Sequence, residues 1–206
     1  MKLFLSSLAV SPAQRPAFVN LLGKPAKQAT LCLIENAADV EGQEPEWLLE
    51  NRRALTATGM HIERLDLRTV SGAKLSATLE AADAIWLGGG NTYYLRWLLG
   101  KTGADTIIKR LVRQGTVYGG GSAGALIAGP TLAGFEEADD PADAPELVLD
   151  GLGFVDFVPV PHWDDPSYRA IMRRTAKQVE HAGYRAQPIT QAQALVIVDG
   201  RLSTVE

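Results

Sequence analysis

Cysteine is nearly absent. Cys32 is the only one in 206 residues, so no disulfide can close within the chain. It lies in the apolar run Ala29–Ile34 and reads as a small core residue. Histidines are equally scarce, three in all, and there is no H-E-x-x-H motif or Cys/His cluster. A zinc peptidase needs such ligands, so neither a metal nor an organic cofactor is expected. Positive charge is not in excess: 20 basic residues face 24 acidic ones, a net charge of −4. That balance gives no footprint for nucleic acid or anionic lipid. Long hydrophobic runs are missing too. The apolar opening Leu3–Val10 is too short to span a bilayer and reads as a first β-strand. The expectations are a cytoplasmic location, no membrane association and a small molecule as substrate.

What remains is ordinary for a soluble globular chain, 46% hydrophobic and 21% charged, and its length fits one domain, residues 1–206. Strand-like segments at about 2–9, 29–35, 61–66, 83–87 and 115–119 alternate with stretches of helical spacing. These include Trp47 through Leu55, Leu75 through Ala81 and Tyr94 through Leu98. Such alternation predicts an α/β fold, a doubly wound, mostly parallel sheet with helices on both faces. The acidic, proline-broken stretch Phe135–Pro145 reads as a long surface loop. Apolar residues return at Leu147–Leu149 and Phe154–Val160, and a helix is expected over about Pro166–Ala182. Ala194–Val198, the turn Asp199-Gly200 and Leu202–Val205 predict a C-terminal β-hairpin. Trp97 and Trp163, if exposed, would mark the surface of a homodimer.

The densest signal is Tyr118-Gly119-Gly120-Gly121-Ser122-Ala123-Gly124-Ala125, a hydrophobic run joined to a helix through a serine flanked by glycines. This is the pattern of a nucleophile elbow, which exposes a serine hydroxyl at the top of a strand-to-helix turn. Its bland counterpart is a glycine-rich βα turn. A serine hydroxyl is a weak nucleophile until a neighbouring base takes its proton. His61 begins a predicted strand, on the edge opposite the glycine loops, and His181 ends a charged helix. His162, in Val158-Pro159-Val160-Pro161-His162-Trp163, follows a hydrophobic strand on the edge where active-site loops gather. Gly88-Gly89-Gly90-Asn91 follows another strand onto the same edge. It could also cradle phosphate, but no P-loop lysine or G-x-G-x-x-G run accompanies it.

Three segments, in this order, resemble the peptidase E group of serine peptidases, which includes aspartyl dipeptidases and is related to cyanophycinases. They are Trp86-Leu87-Gly88-Gly89-Gly90-Asn91-Thr92, then Tyr118 through Ala125 with Gly129-Pro130-Thr131, then Val160-Pro161-His162. The likeness runs from about residue 80 to the C-terminus. It implies the doubly wound sheet of class I glutamine amidotransferases, with Ser122 as nucleophile and His162 as general base. The N–H groups of Gly90 and Ala123 would form the oxyanion hole. Asn91, in the G-G-G-N-T stretch, is assigned with Glu137 and Arg169 to substrate binding: Glu137 would receive the α-amine of a peptide and Arg169 an N-terminal aspartate. One departure stands out. The family's acidic residue before the last strands, which orients the histidine, is replaced here by Gln191. Asp164, Asp165 or Glu137 are the other candidates for supplying that charge. The implied activity is a serine exopeptidase of short peptides, with N-terminal aspartate as the implied preference. Two alternatives stand beside it: a relative that binds small peptides or amino acids with impaired turnover, and an esterase or amidase of other specificity.

Overall fold

Five short strands form the parallel centre of the computed structural model, which describes residues 1–206. They are β1 (Lys2–Ser6), β2 (Thr30–Ile34), β3 (His61–Arg64), β4 (Ala84–Leu87) and β5 (Val117–Gly121). Two further strands, β6 (Phe157–Val160) and β7 (Arg185–Pro188), make a separate parallel pair, and β8 (Ala194–Val198) and β9 (Arg201–Val205) close the chain. The main sheet has the order β3-β2-β4-β5-β1-β8-β9. β8 runs antiparallel to β1, and β9 antiparallel to β8.

The sequences of β2 (TLCLI) and β4 (AIWL) are apolar almost throughout because both faces of a parallel sheet are covered. Successive side chains still point to opposite sides. Leu3, Leu5, Ile85 and Leu87 join the larger core cluster, while Phe4, Leu31, Leu33 and Trp86 join the smaller one behind the sheet. Cys32 is fully buried, and burial pushes its thiol pKa up to about 12, so it is an inert packing residue. The edge strands β3 and β9 are mostly exposed and carry charged or polar residues, which suits unpaired edges.

Seven helices cover the sheet: α1 (Arg15–Asn20), α2 (Glu46–Thr56), α3 (Gly72–Glu80), α4 (Thr92–Thr102), α5 (Ala104–Gln114), α6 (Ala123–Leu126) and α7 (Arg169–His181). Asn91 starts α4 as its N-cap, its side chain accepting the N–H of Tyr94 at 2.9 Å. None of the helices is long and apolar enough to cross a membrane.

The α/β class, the parallel centre and the C-terminal hairpin follow the sequence reading; several local features differ. β5 runs on through Gly119–Gly121 because these glycines pair with Phe4, Leu5 and Ser6 of β1. The apolar return at 154–160 forms a strand only from Phe157, and it pairs with β7 rather than with the main sheet. Arg185–Pro188 has no apolar run to announce it. The helix expected from Pro166 begins at Arg169, since Asp165 first closes a turn by accepting the N–H of Ser167 at 2.8 Å. Trp97 and Trp163 are not exposed; each packs half-buried against the larger core cluster.

Candidate active site

Ser122 stands where β5 turns into α6, with φ 51° and ψ −113°. For a residue with a Cβ this backbone is strained, and tight neighbours hold it there. A Cβ on Gly120 would lie 2.4 Å from the Gly124 carbonyl oxygen, and one on Gly124 would lie 2.0 Å from that of Leu87. Only glycines let the elbow close on β4. The buried Tyr118 hydroxyl donates to the Gly124 carbonyl at 2.5 Å, and the Ser122 N–H donates to Ser6 O at 3.0 Å.

His162 reaches this elbow from the loop after β6, itself in a left-handed conformation with φ 58°. Its N–H donates to Ser7 Oγ at 2.9 Å, and that hydroxyl donates onward to the carbonyl of Ile189 at 2.9 Å. Ser7 thus ties together the ends of β1, β6 and the segment before β8. The imidazole Nε2 lies 2.9 Å from Ser122 Oγ, and Nδ1 lies 3.2 Å from Gln191 Oε1. Burial lowers the imidazole pKa below its ordinary 6.5, opposed by the Gln191 hydrogen bond and the charges of Asp165 and Asp164. The Gln191 amide nitrogen donates to Asp165 Oδ2 at 2.8 Å, and its backbone N–H donates to Asp164 Oδ1 at 2.7 Å.

A cavity of about 400 Å³ opens over the pair. Its glycine wall contains Gly89 and Gly90, and Gly90 has φ +127°. A Cβ at residue 90 would fall 2.2 Å from Ala37 O. The N–H groups of Gly90 and Ala123 have no acceptor within the protein. Apolar surface comes from Leu8, Trp47, Leu126, Phe135 and Met172, and the lining also carries the acids Glu41, Asp139 and Asp143. Burial, together with the charges of Asp143 and Glu41, raises the Asp139 carboxyl above its usual range despite hydrogen bonding from Thr92. No lysine or arginine lines the cavity.

The sequence-derived set therefore divides. Ser122, His162, Gln191, Gly90, Ala123 and Asn91 converge on one cavity. The Asn91 side chain is already committed, donating to Asp140 O and Asp143 Oδ2, each at 2.9 Å, so it fastens the acidic loop to α4. Glu137 lies outside: it is exposed and pairs with Arg174, Oε2 to Nη2 at 2.6 Å. From there it reaches neither a substrate amine over Ser122 nor His162. Arg169 is exposed at the start of α7, beside the cavity-lining Tyr168 but not itself part of the lining. Ser7, Asp139, Asp143 and Tyr168, whose ring centroid lies 5.3 Å from that of His162, are additions that sequence reasoning missed. Only Ser7 had a usable signal, since it follows a strand onto the same carboxyl edge.

Fold and site together define an α/β protein with a serine–histidine pair on a nucleophile elbow. The profile of Peptidase family S51 matches residues 5–205, and the chain belongs to that family, the peptidase E group of serine peptidases. An uncharacterized peptidase of Listeria innocua is 33% identical over 187 residues, covering 90% of this chain and 86% of that one. Peptidase E of Streptomyces coelicolor is 38% identical over a shorter stretch of 103 residues, 50% of this chain and 41% of that one. A crystal structure described as a candidate peptidase E of Listeria monocytogenes EGD-e superposes with a TM-score of 0.86 at 29% identity, covering 98% of this chain and 96% of that one. A peptidase from an acI-B1 actinobacterium shares the fold, with a TM-score of 0.70 at 20% identity over 98% of this chain and 84% of that one. The protein is a peptidase.

Proposed function

We propose that the protein is a serine exopeptidase that cleaves short peptides through an acyl-enzyme on Ser122. The observation that carries this reading is the 2.9 Å approach of Ser122 Oγ to His162 Nε2 at the floor of the cavity. In the first step Oγ attacks the scissile carbonyl carbon while His162 Nε2 takes the hydroxyl proton. The oxyanion faces the free N–H groups of Gly90 and Ala123. Collapse of the tetrahedral intermediate breaks the C–N bond, and His162 returns its proton to the departing amine. Water, deprotonated by the same imidazole, then attacks the ester carbonyl, and the released Ser122 oxygen regains the proton. A lowered imidazole pKa keeps His162 neutral, and so ready as a base, at neutral pH.

A cavity of about 400 Å³ suits a peptide of a few residues. Asp139, Asp143 and Glu41 have no cationic partner in the protein, so their wall favours a free α-ammonium group. This wall takes the role expected of Glu137 and supports cleavage at the N-terminal residue. For an N-terminal aspartate, the cation expected to serve is Arg169, beside Tyr168.

A fluorophosphonate should label wild type at Ser122 and leave Ser122→Ala unlabelled. A dipeptide library should be cleaved by wild type alone. Failure to label, with dipeptides bound but uncut, overturns the acyl-enzyme. If Asp-X dipeptides are cut no faster than neutral ones, or Arg169→Ala leaves their cleavage unchanged, the aspartate preference is wrong while the peptidase stands.

A further inference from the structure

A glutamine is an ambivalent partner for a catalytic histidine. A carboxylate only accepts hydrogen bonds, whereas an amide accepts at Oε1 and donates at Nε2, and a half-turn about its last side-chain bond exchanges the two. The exchange matters to chemistry. With Oε1 toward His162 the imidazole carries its proton on Nδ1, leaving the Nε2 lone pair for the Ser122 hydroxyl. With Nε2 toward His162 the lone pair must sit on Nδ1, the proton moves to the serine side, and the base is lost.

We propose that Asp165 is a positioning residue that resolves this ambiguity: its carboxylate holds Gln191 Nε2, so that only Oε1 can face His162. This rests on His162 being the base of the reading above. Asp165 Oδ2 lies 2.8 Å from Gln191 Nε2, and an ionised carboxylate has nothing to donate, so the nitrogen end of the amide must face it. The backbone of residue 191 is gripped separately by Asp164 Oδ1 at 2.7 Å. Asp165 is itself held in the same turn as the histidine. Its N–H donates to His162 O at 3.2 Å, its Oδ1 accepts the N–H of Ser167 at 2.8 Å, and its carbonyl accepts the N–H groups of Tyr168 and Arg169 at 3.1 and 2.8 Å. The histidine and the group that sets its tautomer therefore move as one loop. The arrangement places the negative charge missing at residue 191 one amide further out, as a relay Ser122–His162–Gln191–Asp165.

Imidazole nitrogen NMR of the whole protein reads the tautomer directly. Wild type should show His162 with the proton on Nδ1, and Asp165→Asn should show a mixture of both tautomers. The same variant should lose roughly 10- to 100-fold in kcat, less than the loss of an oxyanion donor or of a full triad acid, because Asp165 acts on the imidazole only through Gln191. The acid limb of its pH profile should move to lower pH, because a charge that favours the imidazolium is gone. The substituted amide keeps an oxygen for the Ser167 N–H, so the turn is preserved. Asp165→Glu, which retains an acceptor-only carboxylate, should hold the wild-type tautomer and most of the activity, and it carries the test if Asp165→Asn does not fold. The sharpest arm is a double-mutant cycle. In a Gln191→Glu background, where an acceptor-only group meets His162 directly, Asp165→Asn should cost less than about threefold. An equal cost in both backgrounds overturns the proposal, as does an unchanged tautomer and pH limb in Asp165→Asn. If wild type resists the fluorophosphonate, the acyl-enzyme reading fails on its own, and the NMR tautomer still decides the role of Asp165.

Discussion

Two hollows of similar size open on the carboxyl edge of the sheet, one of about 400 Å³ over Ser122 and one of about 340 Å³ beyond β2 and β3. The second is rich in charge, but its charges answer one another. Glu35 is held by Arg52 and Arg64, Glu44 by Arg52, and Asp39 and Asp66 by Arg68. Asn36 fills the remaining demand by donating to Asp39 and Asp66 and accepting the N–H of Leu67. The Arg68 guanidinium holds the Asp66 carboxyl well below its usual range. Every charged side chain lining it has an opposite charge beside it. The first hollow holds a serine in a strained backbone, two N–H groups without acceptors and acids without cations. The Thr92 hydroxyl on its wall is buried without a partner. Unmet demands, not the amount of charge, separate a site from a structural ion-pair cluster.

The largest effect that would test this contrast comes at Ser122. Ser122→Gly should lower peptide hydrolysis by about 10⁶-fold, as loss of a triad nucleophile does. It should also raise Tm by about 2–4 °C, because glycine adopts φ 51° without the cost of about 1 kcal/mol or more that serine bears. Calorimetry beside a dipeptide assay reads both, and an unchanged or lower Tm would deny that the elbow stores strain. Next is Gly90→Ala, where the new methyl group meets Ala37 O under a positive φ. The expected loss is about 10²–10³ in kcat from a displaced oxyanion donor, with urea unfolding showing lower stability. Full activity would remove Gly90 from the oxyanion hole.

Smaller still is the pH response. Because burial lowers the folded-state pKa of His162, the acid limb of kcat/KM should lie below pH 6.5. Below that value the unfolded chain takes up a proton that the folded chain resists. Stability should therefore fall from about pH 6.5 down through the folded-state pKa, and less so in His162→Gln. An acid limb above 6.5 would contradict a desolvated base. The smallest effect belongs to the paired hollow. Arg64 is largely exposed, so Arg64→Ala should cost less than about 1 kcal/mol in chemical denaturation and leave hydrolysis unchanged. A clear loss of activity would show that the second hollow takes part in function.

The elbow and the glycine loop were legible because each follows an apolar strand, and a doubly wound sheet collects those ends on one edge. His162 also follows an apolar strand, but β6 lies in a separate pair, and it is the loop after β6 that carries the imidazole to the elbow. Gln191 was singled out through family resemblance, and the structure puts its Oε1 3.2 Å from His162 Nδ1. Glu137 illustrates the limit. Its spacing from Ser122 suited an amine-binding acid, yet the loop turns it outward to Arg174 and turns Asp139 and Asp143 inward. In an irregular loop no period links position in sequence to direction in space. The strand β7 was hidden for a related reason: Arg-Ala-Gln-Pro pairs with β6 through its backbone, which carries no side-chain pattern.

By itself the sequence determined the alternation of strands and helices, the edge on which the glycine loops gather and the glycine-flanked serine at the strand-to-helix turn, because periodicity and glycine sterics are local properties of the chain. Only the tertiary structure decided which acids face the cleft, which cancel against arginines, and that Asp165 stands behind Gln191. Those are contacts between segments distant along the chain, and their distances are set by how the loops pack on the sheet.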